Sequence, residues 1–347
     1  MRLRSICTVL LFISLLDVGC SKPTTTPPEP SPTAQTKSSA QSEINATSPA
    51  QTQGGFPLLT PIMRTGTLAP SNSSQFTFVV FGDNQGDTHS PTILSRIFGT
   101  FTQSPKPLFA LSLGDIIKGE PCAQTFDEQY IKTAYADYVS LAATANIPIF
   151  NAPGNHEMDE LIGDCSRHRE KPTQRMHDAY SANAGAPLYG AFDYGNSRFI
   201  VLNTEDVPSD TTPPPPKGYE FSYMSDVQLK QLDADLAANA KKTHIFITMH
   251  YPIHPDPNEG GGQTASLNPS ILARLTGILG KYSNVSYIFA SHQHIFYDYQ
   301  PNKTNPFKAG EPTRYLVSGG AGARGGDYHY LLVEVNGDTV SVTMKPI

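Results

Sequence analysis

Five short apolar segments, each bounded by polar or glycine residues, constrain the fold of this chain more than any other feature. They span residues 76–81, 108–113, 147–150, 244–249 and 287–290. Runs of this length and setting are typical of buried β-strands. Stretches with helical spacing lie between them at residues 92–101, 128–145 and 227–240. This alternation predicts α/β layering with parallel strands. A turn at Gly195-Asn196, between residues 189–194 and 198–203, predicts an additional antiparallel hairpin.

The residues that follow these five segments are rich in side chains that bind metals. They are Asp83 and Gln85, then Asp115, then Asn155 and His156, then His250, and finally His292 and His294. Taken singly, each has an ordinary explanation, because Gly-Asp and Gly-Asn pairs after a strand are turn signals. Ligands bind beyond the carboxyl ends of strands in open α/β sheets, so we expect these side chains to converge on one rim.

The chemistry of this set favours hard or borderline cations. Carboxylates, amide oxygens and imidazoles suit Mn, Fe and Zn, and the absence of cysteine from the set excludes thiolate zinc and iron–sulfur sites. Two such ions about 3.5–4 Å apart can clamp a phosphoryl group and activate water near neutral pH. The sequence therefore predicts a site for two divalent or trivalent metal ions. It leaves open which of Mn, Fe or Zn they are.

The order and spacing of these blocks resemble the five motifs of the calcineurin-like metallophosphoesterases: D-x-H, G-D, G-N-H-[DE], a lone His and G-H-x-H. The resemblance covers residues 83–294. It implies a four-layer α/β/β/α sandwich of two mixed sheets flanked by helices. It also implies a metal-dependent phosphomonoesterase or phosphodiesterase, in which a metal-bridging hydroxide attacks phosphorus. Residues 189–203, 226–236 and 317–320 are similar to the bacterial branch related to purple acid phosphatases.

The resemblance also implies a role for each residue of the set. The family's ligands fall on two groups of residues, namely Asp83, Asp115 and His294 for one ion, and Asp115, Asn155, His250 and His292 for the other. Asp115 would therefore bridge the two ions. His156 would not be a ligand but would protonate the leaving oxygen or stabilise charge in the transition state. Glu157 is expected to orient the His156 imidazole.

The sequence departs from the family pattern most seriously at Gln85, which occupies the histidine position of D-x-H. We include Gln85 among the candidate metal ligands. This departure leaves an alternative open, in which the chain is a surface binding module on the same scaffold with a decayed first metal site. A second D-x-H sequence at residues 87–89 lies farther from the strand end. Ser291 replaces the glycine of the last motif.

The N-terminus has the pattern of an export signal. Arg2 and Arg4 precede an apolar run at residues 6–16 that is too short to span a bilayer. A small residue followed by Cys20 resembles a lipoprotein cleavage site, with plain signal cleavage as the alternative. We predict a signal peptide at residues 1–19, a disordered lipid-anchored linker rich in Pro, Ser and Thr at residues 20–74, and a catalytic domain at residues 75–347. The domain would then face the periplasm or the cell surface.

The remaining composition concerns partners and covalent links. The net charge of −6 and the absence of a basic stripe predict no nucleic-acid surface. We expect a monomer that acts on a small-molecule or phosphorylated substrate. Cys122 and Cys165 form an even pair that would be oxidised after export, and we predict a disulfide between them, with two free thiols as the alternative.

Overall fold

The five apolar segments form strands of two six-stranded sheets, four of them inside a sheet and the one at residues 147–150 at a sheet edge. The computed structural model describes residues 55–85, 90–119, 127–161, 170–209, 212–259, 261–299, 306–323 and 327–347. The predictions for the signal peptide, for Cys20, for the Cys122–Cys165 disulfide and for the second motif at residues 87–89 concern residues outside these ranges.

The described strands are β1 (Gln75–Phe81), β2 (Ala110–Ser112), β3 (Ile149–Asn151), β4 (Asp159–Leu161), β5 (Glu170–Pro172), β6 (Gly190–Tyr194), β7 (Ser197–Val201), β8 (His244–Thr248), β9 (Val285–Ala290), β10 (Phe296–Asp298), β11 (Phe307–Lys308), β12 (Arg314–Ser318), β13 (His329–Asn336) and β14 (Thr339–Pro346). The described α-helices are α1 (Ser90–Thr100), α2 (Glu128–Ala142), α3 (Asn155–Met158), α4 (Gln174–Ala184), α5 (Asp226–Ala238) and α6 (Pro269–Leu279). Among these helices, none is long and apolar enough to cross a membrane.

Both large sheets are mixed. The first has the strand order β11-β14-β13-β1-β2-β3, and β1, β2 and β3 run parallel to one another. The second has the order β10-β12-β9-β8-β7-β6, and its strands β7, β8, β9 and β12 are parallel. The predicted hairpin is the antiparallel pair β6–β7 at one edge. The carboxyl ends of the parallel strands are the part of this topology that positions the site.

Side chains alternate between two apolar layers along the central strands. In β1, Phe78 faces the second sheet, whereas Val79 packs under α1 and α2. The rings of Phe78 and Phe246, one from each sheet, are 5.2 Å apart. Helices α5 and α6 cover the outer face of the second sheet. Strands buried on both faces are continuously apolar in sequence, and the predicted four-layer α/β/β/α sandwich is confirmed.

The packed domain begins earlier than the sequence predicted. Phe56, Leu59 and Ile62 are buried, and Ile62 N–H donates to the Ile149 carbonyl at 2.8 Å. The boundary at residue 75 is therefore wrong for residues 55–74, which belong to the folded domain. The burial of these three side chains could not be predicted from sequence, because they are isolated apolar residues outside any periodic pattern in a polar segment.

A buried ion pair joins the second sheet to its helical layer. Arg198 on β7 donates from Nε to Asp235 Oδ1 at 3.0 Å and from Nη2 to Asp235 Oδ2 at 2.5 Å. Both residues are buried, at 3% and 0% exposure. On the same helix α5, Asp233 makes a comparable but exposed pair with Lys281 at 2.8 Å.

We expect Asp235→Ala to lower the free energy of unfolding by about 3–5 kcal/mol, because it removes the bidentate partner of a buried guanidinium. Asp233→Ala is the matched control and should cost at most about 1 kcal/mol, because exposed pairs are screened by water. Urea denaturation of the two variants measures the difference. Equal losses in the two variants would contradict this account of the pair.

Candidate metal centre

The carboxyl ends of parallel strands from both sheets meet at one rim. Asp83 follows β1, Asp115 follows β2, and Asn155 begins α3, the next element after β3. From the second sheet, His250 follows β8, while His292 and His294 follow β9. The structure thus places the predicted site residues together, within one network of short distances.

The backbone around this rim adopts unusual conformations. Asp83, Gln85, Asp115 and His292 have φ angles of 58°, 43°, 55° and 72°. Residues other than glycine rarely adopt this left-handed region, and such residues cluster at functional sites. Backbone hydrogen bonds hold the turns in place, because Asp83 N–H donates to the Gly114 carbonyl at 3.1 Å and Gln85 N–H to the Asp115 carbonyl at 2.5 Å.

The first group of candidate ligands is Asp83, Asp115 and His294, whose ligand atoms all lie within 4.8 Å of one another. Asp83 is fully buried, and neither of its carboxylate oxygens makes a hydrogen bond of good geometry within the described residues. Burial, followed by the charge of Asp115, raises the pKa of Asp83 well above its usual value. A buried carboxylate that lacks well-oriented donors is costly unless a cation compensates it. A Cβ at position 319 would overlap Asp83 Oδ2, so Gly319 keeps this space open.

The second group is Asn155, His250 and His292. Asn155 Oδ1 lies 2.9 Å from His250 Nε2 and 3.2 Å from His292 Nδ1, and the two imidazole nitrogens are 3.3 Å apart. Ligand atoms bound about 2.1 Å from one ion at right angles would lie about 3.0 Å apart. His250 Nδ1–H donates to the Leu113 carbonyl at 2.9 Å, which leaves the lone pair of Nε2 facing the other two atoms. Burial lowers the pKa of His250 to about 4, so the ring is a neutral ligand at pH 7.

Asp115 connects the two groups. Its Oδ1 lies 3.4 Å from His250 Nε2, and its Oδ2 accepts a hydrogen bond from Gln85 Nε2 at 2.8 Å. Burial by itself would raise the pKa of Asp115, but the neighbouring imidazoles of His250 and His156 outweigh burial and lower it. A Cβ at position 154 would overlap Asp115 Oδ1, so only glycine allows this close approach.

His156 lies beside this carboxylate and points towards solvent. Its backbone N–H donates to Asp115 Oδ1 at 3.1 Å, and its Nδ1–H donates to the Lys118 carbonyl at 2.6 Å. Its Nε2 is 4.0 Å from Asp115 Oδ2, and a third of the side chain is exposed. This ring therefore presents Nε2 at the open side of the centre.

The prediction that Glu157 orients the His156 ring is wrong. Glu157 is fully buried and accepts hydrogen bonds from the backbone N–H groups of Asp115, Ile117 and Gly154 at 2.8, 3.1 and 2.8 Å. Burial raises the pKa of Glu157, and the charge of Asp115 raises it further. The carboxylate therefore holds the backbone of two site loops together rather than an imidazole.

Gln85 reaches the first group with its amide nitrogen. Besides donating to Asp115, Gln85 Nε2 lies 3.1 Å from His294 Nε2. Gln85 replaces the family's histidine, and in this orientation its amide offers protons rather than a lone pair to the first group. The side chain thus contacts two candidate ligands of the first group.

Two contacts were missed by reasoning from the sequence. Ser291 Oγ donates to the Leu113 carbonyl at 2.8 Å, the same oxygen that accepts from His250. Glu220 Oε2 lies 2.9 Å from His292 Nε2. The motif pattern marks Ser291 only as a departure from glycine and does not indicate its partner. Glu220 lies in a proline-rich segment without periodicity, so no local signal could have found it.

The family model of calcineurin-like phosphoesterases matches residues 76–296. Because this match covers more than half of the chain, the protein belongs to the calcineurin-like phosphoesterase family. It is a metal-dependent phosphoesterase. A search of curated proteins finds no match.

Solved structures share the fold at low sequence identity. A dimetal phosphatase from Danio rerio is 15% identical with a TM-score of 0.56, over 78% of this chain and 96% of that one. A purple acid phosphatase from yellow lupin seeds is 17% identical with a TM-score of 0.54, over 80% of this chain and 52% of that one. PhoD is 16% identical with a TM-score of 0.54, over 80% of this chain and 70% of that one. At these identities the likeness shows the fold alone.

The position of Gln85 generates a prediction about metal affinity. We expect that a metal ion held by Asp83, Asp115 and His294 would bind more weakly than one held by Asn155, His250 and His292. The first position should also prefer Mn or a similar hard cation. Gln85→His should tighten the first site by roughly 10–100-fold, because an imidazole supplies the lone pair that the amide nitrogen lacks. Calorimetric titration of the metal-free proteins measures both affinities.

Gln85→Asn is the control for this titration, because it keeps the amide but shortens the side chain. It should not tighten the first site. Equal affinity at both sites of the unaltered protein would refute the predicted asymmetry.

Proposed function

We propose that this protein hydrolyses phosphate esters with two metal ions that share the Asp115 carboxylate. One observation carries the proposal. Asp115 is fully buried, its ligand atom lies within 4.8 Å of those of Asp83 and His294, and its Oδ1 lies 3.4 Å from His250 Nε2. A carboxylate reached from both sides by such groups is suited to bridging two cations.

The residues present fit two ions. Asp83 supplies buried oxygens without good hydrogen-bond donors, and Asn155, His250 and His292 present ligand atoms at the spacing that a common ion requires. The set contains oxygens and imidazoles, which favours Mn, Fe or Zn. When bound, such ions supply Lewis acidity to the phosphoryl group and lower the pKa of water.

Two side chains of the protein would contribute to the reaction beside the metal ions, namely Asp115 and His156. The ionised Asp115 carboxylate compensates positive charge at the middle of the centre. The Lys118 carbonyl holds the His156 ring through Nδ1–H, so Nε2 faces the open side. The protonated ring would therefore donate its Nε2 proton to the leaving oxygen of the ester, and the neutral ring would recover that proton from solvent.

The alternative of a binding module with a decayed first metal site is less well supported. Gln85 is the observation that favours it, yet Asp83, Asp115 and His294 remain close to one another around that position. Hydrolysis of an aryl phosphate by metal-loaded protein tests the proposal, and a metal-loaded protein without hydrolytic activity would refute it. Parallel rates on mono- and bis-aryl phosphates distinguish a phosphomonoesterase from a phosphodiesterase.

We expect Asp115→Asn and His156→Ala to lower activity for different reasons. Asp115→Asn should remove bound metal and activity together, because the bridging charge is lost. His156→Ala should keep its metal and lower turnover by roughly 10²–10⁴-fold, the range for a positioned acid or base. Elemental analysis beside steady-state kinetics measures both effects. Loss of metal from the His156 variant would show that His156 is a ligand.

We also propose that the domain is exported and anchored to a membrane of the cell envelope through a lipid on Cys20. The support is the sequence pattern of residues 1–20 and the polar composition that follows it. Cys20→Ala should release the domain into the soluble fraction with unchanged specific activity. Retention of this variant in the membrane fraction would contradict the assignment.

A further inference from the structure

Glu220 lies on the segment that connects β7 to α5, and this segment is held against the domain just beyond it. Tyr223 N–H donates to the Thr204 carbonyl at 2.8 Å, and Ser222 Oγ accepts from Asn268 N–H at 2.7 Å. The Glu220 side chain is half exposed, but its carboxylate points inwards to the rim of the metal centre. The fold therefore places an acidic side chain at this rim from a segment that is distant from His292 in sequence.

One oxygen of Glu220 makes two polar contacts there. Its Oε2 lies 2.9 Å from His292 Nε2 and accepts a hydrogen bond from the Tyr251 hydroxyl at 2.9 Å. The Tyr251 ring is buried, and its centroid is 4.1 Å from that of His292. Tyr251 thus fixes the carboxylate and packs against the imidazole that the carboxylate contacts.

The contact determines which nitrogen of His292 is available to a metal. An ionised carboxylate can only accept, so Nε2 of His292 carries the proton and donates it to Glu220. The other nitrogen, Nδ1, then has a free lone pair. It is Nδ1 that faces Asn155 Oδ1 at 3.2 Å and His250 Nε2 at 3.3 Å.

We propose that Glu220 is a positioning residue that fixes the tautomer and ring orientation of His292 for the second metal ion. The inference rests on the proposed function, because it needs a metal held by Asn155, His250 and His292. A carboxylate on the far nitrogen of a ligating histidine aligns the ring and raises its basicity, and losing such a partner weakens metal affinity by 10–100-fold in general. Within the described residues, Glu220 contacts His292 and Tyr251 but no candidate ligand of the first ion, so its effect should be confined to the second.

The test compares metal affinities of the full-length protein and its variants by calorimetric titration of the metal-free proteins with Zn²⁺. Glu220→Ala should weaken the second site by roughly 10–100-fold and leave the first unchanged. Glu220→Gln keeps an oxygen that accepts from Nε2–H, so it should weaken the second site less. Repeating the titration in an Asp83→Ala background, where the first site lacks a ligand, isolates the second site.

Two controls separate positioning from loop packing and from net charge. Ser222→Ala removes a contact that holds the same segment without touching His292. Glu259→Ala removes an exposed carboxylate on a loop whose backbone accepts a hydrogen bond from Gln293, the neighbour of His292. Both should leave the second-site affinity unchanged. Nitrogen-15 NMR of the metal-free protein provides a further readout, because the preference of His292 for the Nε2–H tautomer should be lost in Glu220→Ala.

Unchanged second-site affinity in Glu220→Ala would overturn the proposal. So would a fall in affinity that Ser222→Ala reproduces, because the segment and not the carboxylate would then be responsible. None of these measurements requires hydrolysis. If the protein binds metal in the predicted way but cleaves no phosphate ester, the role of Glu220 stands while the proposed function fails.

Discussion

A carboxylate placed in the interior of a protein is costly, and Asp115 is buried where two sheets meet, with candidate metal ligands on either side of it. Removing an ion from water costs on the order of several kcal/mol, which must be recovered from nearby groups of opposite or complementary charge. Around Asp115 these groups are the Gln85 amide, the His156 backbone N–H and the adjacent imidazoles. The strained turns and the close approach of Gly154 are the means by which this carboxylate is held in position.

The scaffold supplies this position through short turns that follow directly on the ends of rigid strands. Three strands of one sheet and two of the other, namely β1, β2, β3, β8 and β9, end at the same rim. Site residues that are more than two hundred positions apart in sequence therefore become neighbours, as His294 and Gln85 do. Glu157 stabilises the arrangement by accepting hydrogen bonds from three backbone N–H groups in the loops that carry Asp115 and Asn155. Rigid elements and buried hydrogen bonds thus preorganise the ligands.

The two halves of the centre differ in their supporting contacts. The second group has dedicated partners, since the Leu113 carbonyl holds His250 and the Glu220 carboxylate holds His292. The first group has Gln85, whose amide nitrogen approaches both Asp115 and His294. Because outer partners tune ligand basicity, this difference is the physical reason to expect unequal metal affinities at the two positions.

Local sequence was sufficient for the features that depend on neighbouring residues. The five strands were predictable because strands buried on both faces are continuously apolar, and the candidate ligands were predictable because each follows a strand end. The hydrogen-bond and packing partners that surround these ligands were not predictable from local sequence. Glu157 and Asp115 are 42 positions apart, and the partners of Glu220, of Ser291 and of the early apolar residues Phe56, Leu59 and Ile62 are likewise brought close only by folding. The sequence by itself determined the five apolar strands and the residue types at their ends. The tertiary structure decided which atoms hold those residues, because hydrogen-bond partners are selected by distance in space and not along the chain.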